Sequence, residues 1–158
     1  MKANKTNAAR LLDKAGVPYR LIAYDADEHD LSAVHLAEQI GQDVSRVFKT
    51  LVLRGDRNGL FVCVIPGGHE LDLKKAAKVS GNKSCAMVAV KDLFSLTGYI
   101  RGGCSPIGMK KCFPAYIHET VLQYDSVFVS AGQRGLQFQI AGDDLVKEAG
   151  ADVCDLIV

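Results

Sequence analysis

Two strand-like segments separated by a polar turn set the strongest constraint on the fold of this chain. Residues 47–54 and 60–65 are rich in β-branched and other apolar side chains, and residues 55–59 read Gly-Asp-Arg-Asn-Gly. Apolar runs on either side of such a turn predict an antiparallel hairpin in the first half of the chain. Pro66-Gly67-Gly68 follows the second run and predicts its end.

Short helical patterns alternate with short strands over the rest of the sequence. Two helices are predicted between a capping residue and a glycine, namely Thr6 to Gly16 and Ser32 to Gly41. Further helices are predicted over residues 71–80, 90–97 and 143–150. The remaining strands are predicted over residues 19–24, 86–89, 99–101, 115–118, 127–130 and 136–140.

This alternation predicts an α+β fold in which a mixed, mostly antiparallel curved sheet, or a partly open barrel, is flanked by short helices. A doubly wound parallel fold would need longer helices between longer apolar strands. No linker or internal repeat divides the sequence, so residues 1–158 are predicted to form a single domain.

The charge balance restricts the partners of the chain. It carries 19 Lys and Arg against 18 Asp and Glu, a net charge of +1. Tight, sequence-independent nucleic-acid binding needs a larger basic surplus, and DNA is not an expected partner. Two clusters can still form either a local basic patch or a solvated face. They are Lys74, Lys75, Lys78 and Lys83, and then Arg101, Lys110 and Lys111.

Neither membrane insertion nor a metal site is expected. No apolar run reaches the ~18 to 20 residues of a membrane span. No apolar stretch follows Met1-Lys2-Ala3-Asn4-Lys5-Thr6, which predicts the absence of a signal peptide and a cytoplasmic location. The five cysteines include no Cys-x-x-Cys pair, and the four histidines lack metal-ligand spacing. The cysteines therefore predict neither a disulfide framework nor a zinc site.

Lys49 is the most informative candidate for chemistry. Strand alternation places it on one face with Val47, Leu51 and Leu53, which are all apolar. An ammonium on such a face must be paired, reach a cavity or lose its proton. A lysine that projects into a pocket can anchor a carboxylate, a phosphate or a carbonyl oxygen. A lysine near a strand end can instead snorkel to water, and the residue pattern leaves both interpretations open.

Two loops supply further candidates. Residues 99–108 contain Gly102-Gly103 followed by Ser105-Pro106. Adjacent glycines allow a ligand to approach the main chain closely, although the same residues are typical of a tight turn. Ser130 lies where a predicted strand ends, and its hydroxyl is suited either to binding a ligand or to stabilising the turn.

Cys104 is a candidate nucleophile, because it lies in the glycine loop. Backbone amides of a glycine loop can lower the pKa of a thiol. A Cys–His mechanism also needs a positioned histidine, and no sequence feature pairs Cys104 with His69 or His118. A small packed side chain is the favoured interpretation.

Three segments, in this order, resemble the YbaK family of aminoacyl-tRNA editing proteins. They are Phe48-Lys49-Thr50-Leu51, Gly102-Gly103-Cys104-Ser105-Pro106-Ile107-Gly108 and Val129-Ser130-Ala131-Gly132-Gln133-Arg134-Gly135-Leu136. Supporting matches are Leu71-Asp72-Leu73-Lys74-Lys75 and Thr97-Gly98-Tyr99. The resemblance spans nearly the whole chain. It implies an α+β fold and an enzyme that deacylates Cys-tRNA(Pro), with some action on Cys-tRNA(Cys), and so protects the fidelity of translation.

The residue patterns and the resemblance together assign the candidate site. Catalytic roles are predicted for Lys49 and Gly102. Substrate-binding roles are predicted for Tyr24, Thr50, Gly103, Ser105, Ser130 and Gln137. The resemblance further implies that no metal or organic cofactor is needed and that the partners are aminoacyl-tRNA and prolyl-tRNA synthetase. It also implies that the cysteine thiolate of the substrate, and not a protein group, attacks the ester carbonyl.

Gln137 departs from the family pattern. Relatives usually carry an aspartate just after Arg-Gly-Leu, whereas Gln137 offers only a neutral oxygen to the amino group of the substrate. Three alternatives therefore stay open: removal of another small amino acid, such as alanine, from tRNA(Pro); a module that binds tRNA or a synthetase without turnover; and a thiol hydrolase that uses Cys104.

Overall fold

The computed structural model describes residues 5–158; residues 1–4, which enter the prediction that no signal peptide is present, lie outside this range. The helices are α1 (Asn7–Ala15), α2 (Ala33–Ile40), α3 (Leu73–Val79), α4 (Val90–Thr97) and α5 (Gly142–Glu148). The strands are β1 (Tyr19–Ala23), β2 (Phe48–Gly55), β3 (Gly59–Pro66), β4 (Cys85–Met87), β5 (Ala115–His118), β6 (Val127–Gln133), β7 (Leu136–Ile140) and β8 (Ala151–Cys154). None of the described helices has the length and apolar character needed to cross a membrane.

The strands form two sheets that meet where β2 runs beside β6. The smaller sheet is antiparallel, in the order β1-β7-β6. The larger sheet has the order β4-β2-β3-β5-β8, in which β3, β5 and β8 run parallel and the other pairs antiparallel. A parallel bridge between Val47 and Phe128 joins the two sheets. The prediction of an α+β fold with a mixed, mostly antiparallel sheet is therefore confirmed, and the sheets do not close into a barrel.

The predicted hairpin forms the centre of the larger sheet. β2 and β3 pair in unbroken register from Phe48 opposite Pro66 to Gly55 opposite Gly59. Apolar residues cover both faces of β3: Val62 and Val64 belong to the main core, and Phe61, Cys63 and Ile65 to a second cluster with Ala76 of α3. Burial on both faces explains why β3 reads as a continuous apolar run and not as an alternating one.

Local capping chemistry fixes the ends of the first two helices as the sequence predicts. The Thr6 hydroxyl accepts a hydrogen bond from Ala9 N–H at 3.1 Å, and the Ser32 hydroxyl accepts one from His35 N–H at 3.2 Å. Gly16 and Gly41 end these helices with φ values of 71° and 68°, in the left-handed region that glycine adopts at little cost. The cap at Ser32 also positions the loop that enters α2.

The prediction of a strand over residues 99–101 is wrong. The chain turns there, because Gly103 N–H donates to the Ile100 carbonyl at 3.0 Å. The buried Tyr99 hydroxyl donates to the Ile107 carbonyl at 2.5 Å and so ties the two ends of this loop together. A long-range side-chain bond thus replaces strand pairing. Strand β8, which no sequence pattern predicted, lies beside β5 at the edge of the larger sheet.

A buried histidine holds the C-terminal segment on the larger sheet. Leu156 N–H donates to His118 Nδ1 at 3.1 Å, and the Leu156 side chain is fully buried. Nδ1 can accept this bond only while it carries no proton. Burial lowers the pKa of His118, and the carboxylates of Asp155 and Glu119 oppose this shift.

We predict that His118 makes the protein less stable as the pH falls through about 6.5, the ordinary pKa of an exposed histidine. Because the pKa of His118 is lower in the folded state, the unfolded chain binds more protons over this range. The stabilising contribution is therefore complete above that pH and is lost as the pH falls toward the folded-state pKa. Urea unfolding at pH 7.5 and pH 5.5 measures the effect.

His118→Asn keeps an oxygen acceptor for Leu156 N–H but cannot titrate, so its unfolding free energy should depend less on pH. His29→Asn, at an exposed position, is the matched control and should keep the wild-type dependence. The same pH dependence in His118→Asn and in the wild type would show that His118 does not contribute.

Candidate functional site

An open cavity of about 490 Å³ lies where β2 and β6 separate. β6 is bridged to β2 at Val47, and β4 pairs with β2 only from Leu53 to Gly55. Within residues 5–158, no strand pairs with the β2 edge between these points, which leaves room for a ligand. The cavity brings together five of the predicted site residues. They are Lys49, Thr50, Gly102, Ser130 and Gln137.

Lys49 presents an ammonium without an acidic partner to this cavity. It lies opposite Ile65 on β3, is half-buried, and donates to the Gly67 carbonyl at 3.3 Å. Among residues 5–158, no carboxylate lies within 4.0 Å of it. Burial lowers the pKa of Lys49, and the more distant Glu70 opposes this shift. One neutral carbonyl leaves donor capacity on the ammonium for a ligand.

Two residues that line the cavity also carry a buried side-chain oxygen that has no hydrogen-bond partner among the described residues. In the described part of the chain, neither Thr50 Oγ1 nor Gln137 Oε1 makes a hydrogen bond. Gln137 lies opposite Ser130, whose hydroxyl accepts a hydrogen bond from Gly132 N–H at 3.1 Å. Buried polar atoms in folded proteins are nearly always paired. Thr120 Oγ1, which lies outside the cavity, is unpaired among the described residues as well, so a missing hydrogen bond does not by itself mark a ligand site; what Thr50 and Gln137 contribute is polar character in the cavity wall.

Three of the predicted substrate-binding residues lie around the cavity and not on its wall. Tyr24 lines a small adjoining cavity, which shares Leu31 and Gly102 with the larger one. A Cβ atom on Gly103 would come within 3.0 Å of Gln133 Cα, so Gly103 allows the loop to pack against the β6–β7 turn. Ser105 is fully buried, and its hydroxyl accepts a hydrogen bond from Ile107 N–H at 3.3 Å. Their contacts with substrate stay predictions.

The cavity also contains residues that sequence reasoning did not assign to it. His29, Asp30 and Leu31 come from the loop before α2, and Arg101 comes from the glycine loop. The polar stretch after β1 was recognisable as a loop. Its position over β2 depends on how α2 packs on Val47 and Phe128, and no local sequence signal reports that contact.

Comparison with known proteins agrees with this geometry. The family model of the aminoacyl-tRNA editing domain matches residues 27–148. The chain belongs to this family. Over 143 residues it is 51% identical to EbsC of Enterococcus faecalis, whose name assigns it a Cys-tRNA(Pro)/Cys-tRNA(Cys) deacylase activity; the match covers 90% of this chain and 87% of EbsC.

Two further relatives relate the domain to prolyl-tRNA synthetase. A proline–tRNA ligase of Cupriavidus necator is 26% identical over 155 residues, which cover 95% of this chain but only 27% of the ligase. A crystal structure described as that of a trans-editing enzyme for prolyl-tRNA synthetase superposes with a TM-score of 0.84 at 26% identity. That superposition covers 98% of this chain and 99% of the other chain.

The residues of this editing domain that come closest to a metal-binding set lie outside the cavity. Ligand atoms of His118, Glu119 and Asp155 lie within 4.8 Å of one another. Asp155 pairs with Lys75 at 2.8 Å, and His118 Nδ1 already accepts from Leu156. We interpret His118 and Asp155, together with Lys75, as the hydrogen-bond network that holds the C-terminal segment.

Cys104 lines the cavity of the editing domain, but its thiol is not poised for attack. Only 8% of the residue is exposed, and burial raises the pKa of the thiol to about 12. Across residues 5–158, no histidine side chain hydrogen-bonds to it. A thiol with this pKa carries almost no thiolate at neutral pH, which argues against the thiol-hydrolase alternative.

We predict that Cys104 resists alkylation at pH 8, whereas the exposed Cys112 reacts readily with iodoacetamide. Alkylation requires both a thiolate and access, and the Cys104 thiol is protonated and almost wholly buried. Peptide mass spectrometry after timed labelling measures the two rates, with Cys112→Ser as the control for peptide assignment. Labelling of Cys104 before Cys112 would contradict the assignment of a buried, protonated thiol.

Proposed function

We propose that the protein deacylates Cys-tRNA(Pro), and Cys-tRNA(Cys) as well, as a trans-acting editing enzyme. The observation that carries this proposal is the cavity that brings Lys49 together with the polar residues Thr50, Ser130 and Gln137 in an editing-domain fold. The names of the relatives support cysteinyl-tRNA as the substrate and prolyl-tRNA synthetase as the partner. On the same grounds we propose that it works in the cytoplasm and together with prolyl-tRNA synthetase. A net charge of +1 provides few phosphate contacts of its own, so delivery of the tRNA by the synthetase would compensate for weak tRNA binding.

The proposed roles follow from the chemistry of each group. Lys49 binds the ester end of the substrate and neutralises charge as the ester breaks, since an ammonium in a partly dry site stabilises developing negative charge. Gly102, with its φ of 84°, presents main-chain groups that a side chain would cover. Ser130 and Gln137 hold the aminoacyl group through their polar atoms. The domain thus orients the substrate and stabilises charge.

The nucleophile in this proposal is the substrate's own thiol. In the described residues, neither Cys104 nor Ser130 is hydrogen-bonded to a general base. A free cysteine thiol has a pKa of about 8.5, so a small thiolate fraction exists at pH 7. The thiol first loses its proton to water, and its sulfur then bonds to the carbonyl carbon. The bond between that carbon and the 3′ oxygen breaks, and the oxygen takes a proton back from water, so the tRNA leaves with a free 3′ hydroxyl. The other product is a cyclic thioester.

Single-turnover deacylation of tRNA(Pro) charged with cysteine, serine or alanine tests this function. Serine has nearly the shape of cysteine but a far poorer nucleophile. We expect rapid release from Cys-tRNA(Pro) and release at least about 100-fold slower from Ser-tRNA(Pro), because a cysteine thiol is partly ionised and strongly nucleophilic at neutral pH whereas a serine hydroxyl stays protonated. Equal rates for the two substrates would indicate an activated water.

The same panel separates the alternatives. Faster release of alanine than of cysteine would assign the enzyme to alanine editing. Binding of all three charged tRNAs without any release would make the protein a binding module. Only the cysteine-selective outcome supports the proposed function.

We predict that Lys49→Met lowers the single-turnover rate by about 10² to 10³-fold, the usual effect of removing an electrostatic group from a catalytic site. The fold should persist, because methionine keeps the aliphatic stem and removes an ammonium whose burial is unfavourable. Lys74→Met, at an exposed position on α3, is the matched control and should keep the wild-type rate. A folded Lys49→Met protein with a near-normal rate would refute this role for Lys49.

A further inference from the structure

Two arginines, one that lines the cavity and one beside its lining residue Gly102, lack an acidic partner. Arg101 is exposed and lines the cavity, and Arg134 lies in the turn between β6 and β7. The side chain of Arg134 passes over Gly102, where an added Cβ would lie 3.3 Å from Arg134 Nε. Within residues 5–158, neither guanidinium has a carboxylate within 4.0 Å.

The main chain fixes the orientation of Arg134. Its Nε donates to the Arg101 carbonyl at 2.8 Å, which joins the β6–β7 turn to the glycine loop. Nη1 and Nη2 of Arg134 make no hydrogen bond to any described residue, nor does the Arg101 guanidinium. Two cations from adjoining loops thus lie near the cavity without a hydrogen-bonded carboxylate. Such an arrangement is unfavourable by itself and favours an anionic ligand.

We propose that Arg101 and Arg134 bind the phosphodiester backbone at the 3′ end of the tRNA, a proposal that rests on the proposed function. The aminoacyl ester is attached to the terminal ribose, so the nearest phosphate lies one nucleoside away from the reacting carbonyl. With the ester at Lys49, the proposal places that phosphate beside Arg101, which lines the same cavity. The planar guanidinium group matches two phosphate oxygens at once, which an ammonium does not.

The other charges at the cavity agree with this placement. Asp30 lies on the wall formed by the loop before α2, and hydrogen bonds from Ser32 lower the pKa of its carboxyl group. A carboxylate there repels phosphate and directs it toward the arginines. The near-neutral net charge of the chain gives little general attraction to tRNA, so phosphate binding has to come from local pairs such as this one.

Two variants and a control test the proposal. Arg101→Ala removes one charge and keeps the carbonyl that Arg134 binds. Arg134→Gln removes the other charge and places an amide nitrogen where Arg134 Nε stood, so the bond to Arg101 can persist. Arg57→Ala, in the exposed β2–β3 turn, removes an arginine remote from the cavity and is the control. Thermal unfolding checks that all three variants are folded.

The assays use Cys-tRNA(Pro) and 3′-O-cysteinyladenosine, which carries the ester but no phosphate. For Cys-tRNA(Pro) we expect each arginine variant to raise KM by about tenfold, with kcat within about twofold of the wild type, because a charge-assisted hydrogen bond to substrate is lost. Neither parameter should change for the nucleoside ester. A merely structural role would change both substrates alike and would overturn the proposal.

Binding of uncharged tRNA(Pro) at several salt concentrations gives a readout that does not need turnover. Each variant should flatten the dependence of log Kd on log salt by about 0.7, the value for one phosphate contact on a single strand. Unchanged slopes and KM values in both variants would overturn the arginine site even if the wild type deacylates Cys-tRNA(Pro). A wild type that binds tRNA with arginine-dependent slopes but releases no amino acid would refute the proposed function alone.

Discussion

The parallel bridge between Val47 and Phe128 is the contact on which the site depends. Both residues are buried together against Ala37 of α2, so the packing of this helix holds β2 beside β6. Lys49 lies two residues after Val47, and Ser130 lies two residues after Phe128. Because the two segments run parallel, Lys49 and Ser130 lie beside each other. Gln137 follows as the partner of Ser130 in the smaller sheet. One apolar contact thus places side chains from both sheets in a row along the cavity.

The polar groups in this row are incompletely paired. The burial of Lys49 lowers its pKa. Gln137 Oε1, and Thr50 Oγ1 next to Lys49 in the chain, make no hydrogen bond among the described residues. Each such group destabilises the folded state, because water would have solvated it. The main core, with Phe138 and Ile117 at its centre, provides the stability that offsets this. In the proposed function, the substrate would supply a partner for the Lys49 ammonium, which suits an enzyme that works mainly by orientation.

The sequence predicted what local chemistry determines. The β2–β3 hairpin follows from apolar runs around a turn, and the ends of α1 and α2 follow from hydroxyl caps and glycines. Which residues come to line the cavity depends instead on contacts between segments that are far apart in the sequence. The Tyr99 bond to Ile107 converts a predicted strand into a loop. The contact of Arg134 with the Arg101 carbonyl, 33 residues away, was likewise beyond reach of pattern analysis. The position of Lys49 at a cavity was predictable, because its charge conflicts with the apolar strand face that it occupies.

The proposed groups differ in what they can discriminate. Phosphate is common to every tRNA, so the two arginines beside the cavity cannot select the amino acid. Lys49 acts on an ester that every charged tRNA carries, so it cannot select the amino acid either. The polar wall formed by Thr50, Ser130 and Gln137 is the part of the proposed site that is left to contact the side chain of the amino acid. A pocket separates near-isosteres poorly, and serine differs from cysteine by one atom. Selectivity between those two therefore has to arise in the chemical step, through the nucleophile that the substrate brings, and it has to appear in kcat more than in KM.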